Sequence, residues 1–257
     1  MQFLSKVIHW LYLIYALLVF FALMLVIFPI AIMGSLFGPV KGGNFIFMLC
    51  TIWADIWYFL IFIRHKNIYE EPLRKGQSYV FVANHISYLD ATIIPKSIRQ
   101  PVRALGKIEI AKIPVFGFIY KNAIVTIDRS STEHRARSVV KLKSILAKGI
   151  SIFVFPEGTF NQTSQPLKDF YDGAFRIAIA AGVPIKPILY LDTFNRLKPE
   201  SIFSLNPGIN RAIFLKEISV EGLTIKDIKS LKDKVFNIMA EKLTAYKAPW
   251  IAETSVP

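Results

Sequence analysis

The chain has 257 residues, 53% of them hydrophobic, with 31 Lys+Arg against 18 Asp+Glu and one cysteine. That length accommodates one membrane-attached segment and one sizeable α/β domain, and a single Cys50 excludes an intrachain disulfide. The net charge of +13 points to an anionic membrane surface or phosphate-bearing substrates; no nucleic-acid motif accompanies it, and the apolar front argues against that partner.

The apolar excess lies at the front. From Val7 to Val40 no residue is formally charged, and from Phe45 to Ile63 only Asp55 is. Val7 to Ile32 is longer than the roughly 20 residues a bilayer span needs. It is also longer than the core of a signal peptide, and no small-residue cleavage site follows it. The segment is therefore expected to be retained as an anchor. Pro29, Gly34, Gly38-Pro39 and Gly42-Gly43 mark a bend, after which Phe45 to Ile63 returns toward Arg64-His65-Lys66. Lys6 at one end and Arg64/Lys66 at the other place both ends of the hairpin on the cytoplasmic side of a bacterial-type inner membrane. Hydropathy does not separate a spanning hairpin from a half-embedded one. Trp10, Tyr12, Trp53, Trp57 and Tyr58 are expected as interfacial anchors, and Asp55 as a partnered buried acid or a functional one.

Residues 1–66 thus read as a membrane-anchoring helical hairpin and residues 67–257 as an α/β domain, in which short apolar runs alternate with amphipathic stretches. Strands are expected at Tyr79–Ala83, Pro101–Ala104, Ala123–Ile127, Ser151–Phe155, Pro184–Leu191 and Ala212–Leu215. A short helix is expected near Ile110–Ile113, broken by Pro114 and Gly117. Ser130 and Glu133 fit a capping box that opens a helix with Val139, Leu142, Ile145 and Leu146 on one face, ended by Gly149. Gly173 to Ala181 reads as a helix ended by Gly182. A closing helix over Ile225–Tyr246 directs Ile225, Ile228, Leu231, Val235, Ile238 and Leu243 inward. There is no internal repeat.

Polar residues gather where apolar strands end: Asn84/His85/Asp90, Asp128/Arg129 and Glu157/Gly158/Thr159. Ligands bind at strand ends in open α/β sheets, so three such clusters suggest one shared site. In an ideal helix, positions i and i+5 lie about 140° apart. His85 and Asp90 can therefore meet only if His85 sits in the turn and Asp90 on the following helix. His85 would then take a proton from an alcohol, with Asp90 fixing the imidazole tautomer; a buried structural histidine is the competing reading. Lys107 and Arg129 could hold a phosphate or be surface cations. Gly158 permits close backbone approach to a ligand or makes an ordinary tight turn. Ser87 could be a nucleophile, though a serine at a helix start is usually a cap. His9, His65, His85 and His134 are scattered, so no metal site is expected. There is no Gly-x-Ser-x-Gly elbow and no Walker-type loop.

Asn84-His85-x-Ser87-x-x-Asp90 resembles the His-x4-Asp motif of the glycerolipid acyltransferases, and most of all the 1-acyl-glycerol-3-phosphate (lysophosphatidic acid) acyltransferases. The resemblance continues in order through Gly106-Lys107-x-Glu109, Pro114-x-x-Gly117, Thr126-Ile127-Asp128-Arg129, Phe155-Pro156-Glu157-Gly158-Thr159, Gly173-Ala174-Phe175 and Val183-Pro184-Ile185-Lys186-Pro187. It implies a mixed sheet flanked by helices, preceded by the apolar hairpin. It implies that His85 is the base and Asp90 its partner. Lys107 and Arg129 would bind the acceptor phosphate, and Glu157, Gly158 and Thr159 would shape the acceptor site. It further implies transfer of an acyl group from acyl-CoA or acyl-carrier protein to the sn-2 hydroxyl of a lysophospholipid, without a cofactor. Two positions depart from the pattern. Phe160 stands where many members carry Arg, and Asp172 where many carry a basic residue; Lys168 or Arg176 would have to compensate. A different lysolipid acceptor, such as a lyso-aminolipid, therefore stays open. So do a lipid esterase working through Ser87 and a non-catalytic membrane binder.

Overall fold

The computed structural model describes residues 2–106, 108–126 and 132–251. Two long helices, α1 (Gln2–Ser35) and α2 (Gly38–Leu60), form the front hairpin. Both are long and apolar enough to cross a membrane by length and composition. The chain reverses over Leu36-Phe37. Pro29 lies inside α1 without ending it, and Pro39 sits in the first turn of α2, where its missing N–H costs nothing. Gly42 and Gly43 are helical and serve close packing instead of a bend. A Cβ on Gly42 would lie 2.5 Å from the Gly34 carbonyl oxygen.

Three of the expected interfacial anchors are core residues: Trp53, Trp57 and Tyr58 are 5%, 6% and 0% exposed. Trp53 and Trp57 stack at 5.3 Å, and Phe20 of α1 meets both edge-on. Trp57 Nε1 donates to the Ala16 carbonyl, which satisfies the one polar atom the ring buries. Trp10 is exposed, and Tyr12 donates its hydroxyl hydrogen to the Ile61 carbonyl across the hairpin. Asp55 is partnered by Lys96 at 2.6 Å and Arg99 at 2.9 Å, and it is 41% exposed, so it is a paired acid at the surface.

Behind the hairpin lies a seven-stranded mixed sheet in the order β1-β7-β6-β2-β5-β3-β4. Its strands are β1 (Ile63–Tyr69), β2 (Val80–Ala83), β3 (Val102–Gly106), β4 (Ile124–Thr126), β5 (Ser151–Val154), β6 (Ile185–Tyr190) and β7 (Gly208–Phe214). All pairs are parallel except β6 with β7. The division expected at residue 66 falls inside β1, so the sheet begins three residues before it. Helices α3 (Asp90–Ser97), α4 (Phe116–Ala123), α5 (Thr132–Ala147), α6 (Gly173–Ala181), α7 (Thr193–Arg196) and α8 (Ile228–Ala245) complete the chain with short 3-10 turns.

The central strand β2 is apolar at every position because both faces are covered, and the polar side chains its neighbours carry, Ser151 of β5 and Lys186 of β6, are buried with hydrogen-bond partners. Val80 and Val82 of β2 face Leu142, Leu146, Phe175 and Val235 of α5, α6 and α8. Phe81 and Ala83 face Ile93 and Ile94 of α3 and Phe47 of α2. Burial of a side chain such as Phe175 stabilises the fold by about 1.5–3 kcal/mol. The inward face of α8 is Ile228, Leu231, Val235, Met239 and Leu243. Ile225 lies on a preceding 3-10 turn, 62% exposed, and not on the helix. The helix expected near Ile110–Ile113 is a 3-10 turn over Ile108–Lys112. Pro114 breaks the chain in the turn between Lys112 and Phe116, but Gly117 does not, because it lies inside α4 and packs against the Ala111 carbonyl. The Ser130–Glu133 box lies outside the described residues in its capping serine.

The hairpin is docked on the domain, since Leu89, Ile119 and Leu205 share its core. Gly42→Ala should therefore weaken the whole chain. The added methyl meets backbone, which has no rotamer to escape through, and overpacking of this kind costs about 1–3 kcal/mol. The expected outcome is a lower melting temperature in detergent, with an exposed Gly173→Ala, which meets nothing within 4 Å, as the control.

Candidate active site

The parallel strands β2, β5, β3 and β4 end on one edge of the sheet, and the Asn84/His85/Asp90 and Glu157/Gly158/Thr159 clusters follow β2 and β5 there, whereas Asp128/Arg129 lies outside the described residues. Asn84 closes the end of β2. Its side chain donates to the Tyr190 carbonyl at 3.0 Å and accepts from the Tyr190 N–H at 2.8 Å, extending the ladder to β6 by one residue. Residues 85–89 then leave the sheet as a turn, and α3 begins at Asp90.

His85 and Asp90 meet. Asp90 Oδ2 lies 2.9 Å from His85 Nδ1, and the same oxygen accepts the backbone N–H groups of Ile86 at 2.7 Å and Ser87 at 2.8 Å. Asp90 is fully buried at the first residue of α3, where the helix dipole favours a carboxylate. An acceptor with three donors fixes the imidazole as the Nδ1–H tautomer, which leaves the lone pair on Nε2. The His85 side chain is 20% exposed, and Nε2 has no hydrogen-bond partner among the described residues. The ring is stacked on Phe155 at 3.9 Å and 9°, and Phe160 meets its other side edge-on at 4.4 Å. Tyr88 packs on Phe160 in turn, so the imidazole has one polar face and an aromatic enclosure.

Glu157 braces the same turn from β5. Its Oε1 accepts the His85 N–H at 2.8 Å and its Oε2 the Lys168 N–H at 2.9 Å. The side chain is 2% exposed, and burial pushes its carboxyl up to about 7, against the two amide donors that favour the charge. Gly158 has φ +73°, a conformation that favours glycine, and its N–H closes a tight turn on the Phe155 carbonyl. Thr159 is exposed, with its hydroxyl accepting from Lys168 Nζ at 2.8 Å. Lys107 and Arg129, the two expected phosphate ligands, lie outside the described residues. Asp172 is paired with Lys232 at 2.7 Å.

Ser87 is fully buried. Its Oγ donates to the Leu197 carbonyl at 2.5 Å and accepts the Leu89 N–H at 3.0 Å, as a cap inside the turn. Two supports were not anticipated: Phe155 under the imidazole, and Asn161, whose N–H reaches the His85 carbonyl at 2.7 Å. Asn161 also holds its own loop through Gln165 and Thr163. Its sequence signal was the polar run from Asn161 to Lys168, which read only as a loop. Among the described residues no His/Cys/Asp/Glu group is arranged to hold a metal.

The acyltransferase family model matches residues 65–191, the span that contains His85, Asp90, Glu157 and Asn161. An uncharacterized acyltransferase of Schizosaccharomyces pombe is 34% identical over 173 residues, covering 65% of this chain and 61% of its own. The chain thus spans less than two thirds of that relative. A putative 1-acyl-sn-glycerol-3-phosphate acyltransferase of Caenorhabditis elegans is 30% identical over 216 residues, 80% of this chain and 71% of its own. The fold is shared with the crystal structure of the 1-acyl-sn-glycerophosphate (LPA) acyltransferase PlsC from Thermotoga maritima. That match has a TM-score of 0.75 at 20% identity, over 96% of this chain and 99% of that one. The chain belongs to the acyltransferase family.

Because burial raises the Glu157 carboxyl above its ordinary value of 4.5, the folded state holds a proton there that the unfolded chain releases. The sign follows: stability is higher below the unfolded value and falls as pH rises from about 4.5 through about 7. Glu157→Gln should remove that slope from a plot of melting temperature against pH in detergent. It should also loosen either the His85 turn or the 161–168 loop, because the amide NH2 must face the His85 or the Lys168 N–H donor to donor.

Proposed function

We propose that the protein is a membrane-bound glycerolipid O-acyltransferase that acylates the sn-2 hydroxyl of 1-acyl-sn-glycerol-3-phosphate to give phosphatidate. The observation that carries this is the His85–Asp90 pair, with Nδ1 committed to the carboxylate and Nε2 left open at the sheet edge. His85 Nε2 takes the hydroxyl proton as the alkoxide oxygen attacks the thioester carbonyl of acyl-CoA or acyl-carrier protein. The tetrahedral intermediate expels the thiolate, which recovers the proton from the imidazolium. The carboxylate stabilises that cation without itself being protonated, and the stacked Phe155 face adds to it. No acyl-enzyme and no cofactor is required.

The hairpin keeps this chemistry at the depth of a lysolipid's hydroxyl, on the cytoplasmic side where thioester donors are made. Membrane lipids are thus both substrate and support. Lys107 and Arg129 are assigned to the acceptor phosphate, and Glu157, Gly158 and Thr159 to the wall of the acceptor site. Phe160 favours a second reading of the acceptor, because an aromatic edge packs on His85 where related enzymes place a cation. Under that reading the acceptor is a phosphate-free lysolipid. The esterase reading is disfavoured by Ser87, whose hydroxyl is buried and spent on the Leu197 carbonyl.

His85→Ala should abolish transfer by purified protein while membrane attachment and melting temperature stay near those of the unaltered chain. Residual transfer near the original rate would remove the base from the mechanism. A panel of lysophosphatidate, a lyso-aminolipid and both thioester donors decides acceptor and donor together. Preference for lysophosphatidate is the expected result.

A further inference from the structure

The hairpin helices differ in where they end. Tyr12 of α1 lies opposite Ile61, just past the last residue of α2. The first turns of α1 therefore run on beyond α2, along the domain, and they stay apolar and exposed: Phe3 is 81% exposed, Ile8 58% and Leu11 61%. At 1.5 Å per residue, the 34 residues of α1 extend about 51 Å, well past the roughly 30 Å of a hydrocarbon core. This overhang touches the domain at Phe203. His9 Nε2 lies 2.8 Å from the Phe203 carbonyl oxygen, and the Trp10 and Phe203 rings are 5.5 Å apart.

Phe203 belongs to a 3-10 turn, Ile202–Ser204, that presents two large apolar side chains at its tip, 60% and 56% exposed. The turn is built and not frayed. Ser201 Oγ accepts the Phe203 N–H, Ser204 Oγ donates to the Ser201 carbonyl at 2.7 Å, and the same hydroxyl accepts the Lys198 N–H at 2.7 Å. Behind the tip, Leu205 is buried in the hairpin core. Phe62, 66% exposed, bonds through its carbonyl to the Gly208 N–H, and Ile209 beside it is 59% exposed.

We infer that Ile202 and Phe203 form a second lipid-inserting element, which together with the overhanging start of α1 seats the domain on a bilayer surface. The occupant is a lipid surface, because the tip continues an apolar face that the hairpin already presents. Lys6 on α1 and Lys198 before the turn supply cations for anionic headgroups. The segment behind the tip also reaches the histidine turn, since the Leu197 carbonyl accepts from Ser87. Insertion of the tip thus sets the height of His85 above the lipid. This rests on the membrane reading of the hairpin and goes beyond it.

The test uses the full chain with Cys50→Ser and a nitroxide on Phe203→Cys, in vesicles of phosphatidylcholine and phosphatidylglycerol. Collision with oxygen should exceed collision with a water-soluble nickel chelate, whereas a label on exposed Glu221→Cys should show the reverse. Equal nickel access at both sites overturns the proposal, and so does spin–spin broadening, which would place a second copy of the chain on the tip. The accessibility reading needs no turnover, so its failure is distinct from failure of the acyltransferase assignment. Ile202→Ser with Phe203→Ser should raise the apparent KM several-fold for lysolipid in vesicles and leave the rate with a monomeric short-chain lysolipid unchanged. An equal loss on both acceptors overturns the proposal.

Discussion

One oxygen atom organises the candidate site of this molecule. Asp90 Oδ2 gathers the Nδ1–H of His85 and the backbone N–H groups of Ile86 and Ser87. Three donors converging on one buried carboxylate oxygen fold the loop after β2 into a single shape, and that shape holds the imidazole. Hydrogen bonds to a charged group contribute about 1.5–3 kcal/mol each, more than a five-residue turn could supply by propensity. The carboxylate in turn has its place because α3 begins on it, where the helix's positive end offsets the burial of a charge.

The rest of the site is arranged around that turn. Glu157 holds its near side through the His85 N–H and Asn161 its far side through the His85 carbonyl. Ser87 ties its end to Leu197, and Asn84 fastens its beginning to β6. Each of the two strands flanking β2, with the segment that follows it, thus contributes two restraints to the same few residues. The side-chain faces of the imidazole are left to aromatic rings, which exclude water without competing for Nε2.

The site was legible in sequence wherever its chemistry follows from local geometry. His85 and Asp90 are five apart, and a turn followed by a helix is the arrangement that lets such a pair meet; the strand Val80–Ala83 before them is apolar throughout. What was hidden depended on distant partners. Nothing in Trp53 or Trp57 says whether an indole faces lipid or another helix, and the answer lay in Phe20 and the Ala16 carbonyl of α1. Gly42 and Gly43 read as a bend because glycine's freedom and its small size leave the same letter. Strand β1 escaped notice because it is an edge strand, with Arg64 and Lys66 outward and little alternation to see. The stack of Phe155 on His85 brings together residues seventy positions apart, visible only once β2 and β5 are neighbours.

The pairing of β1 bears on how the chain is made. Among the described residues its only partner in the sheet is β7, residue for residue from Ile63 with Gly208 to Tyr69 with Phe214. Strand β7 is also the piece that joins β1 to β6, so the sheet stays divided until residues 208–214 exist. At synthesis rates of about 5–20 residues per second, β1 waits roughly seven to thirty seconds after the hairpin that precedes it. Throughout that interval an unpaired strand stands at the foot of α2. Arg64 and Lys66 on its outward side are the kind of edge charge that disfavours pairing with another chain, and they are present on β1 from the moment it is made.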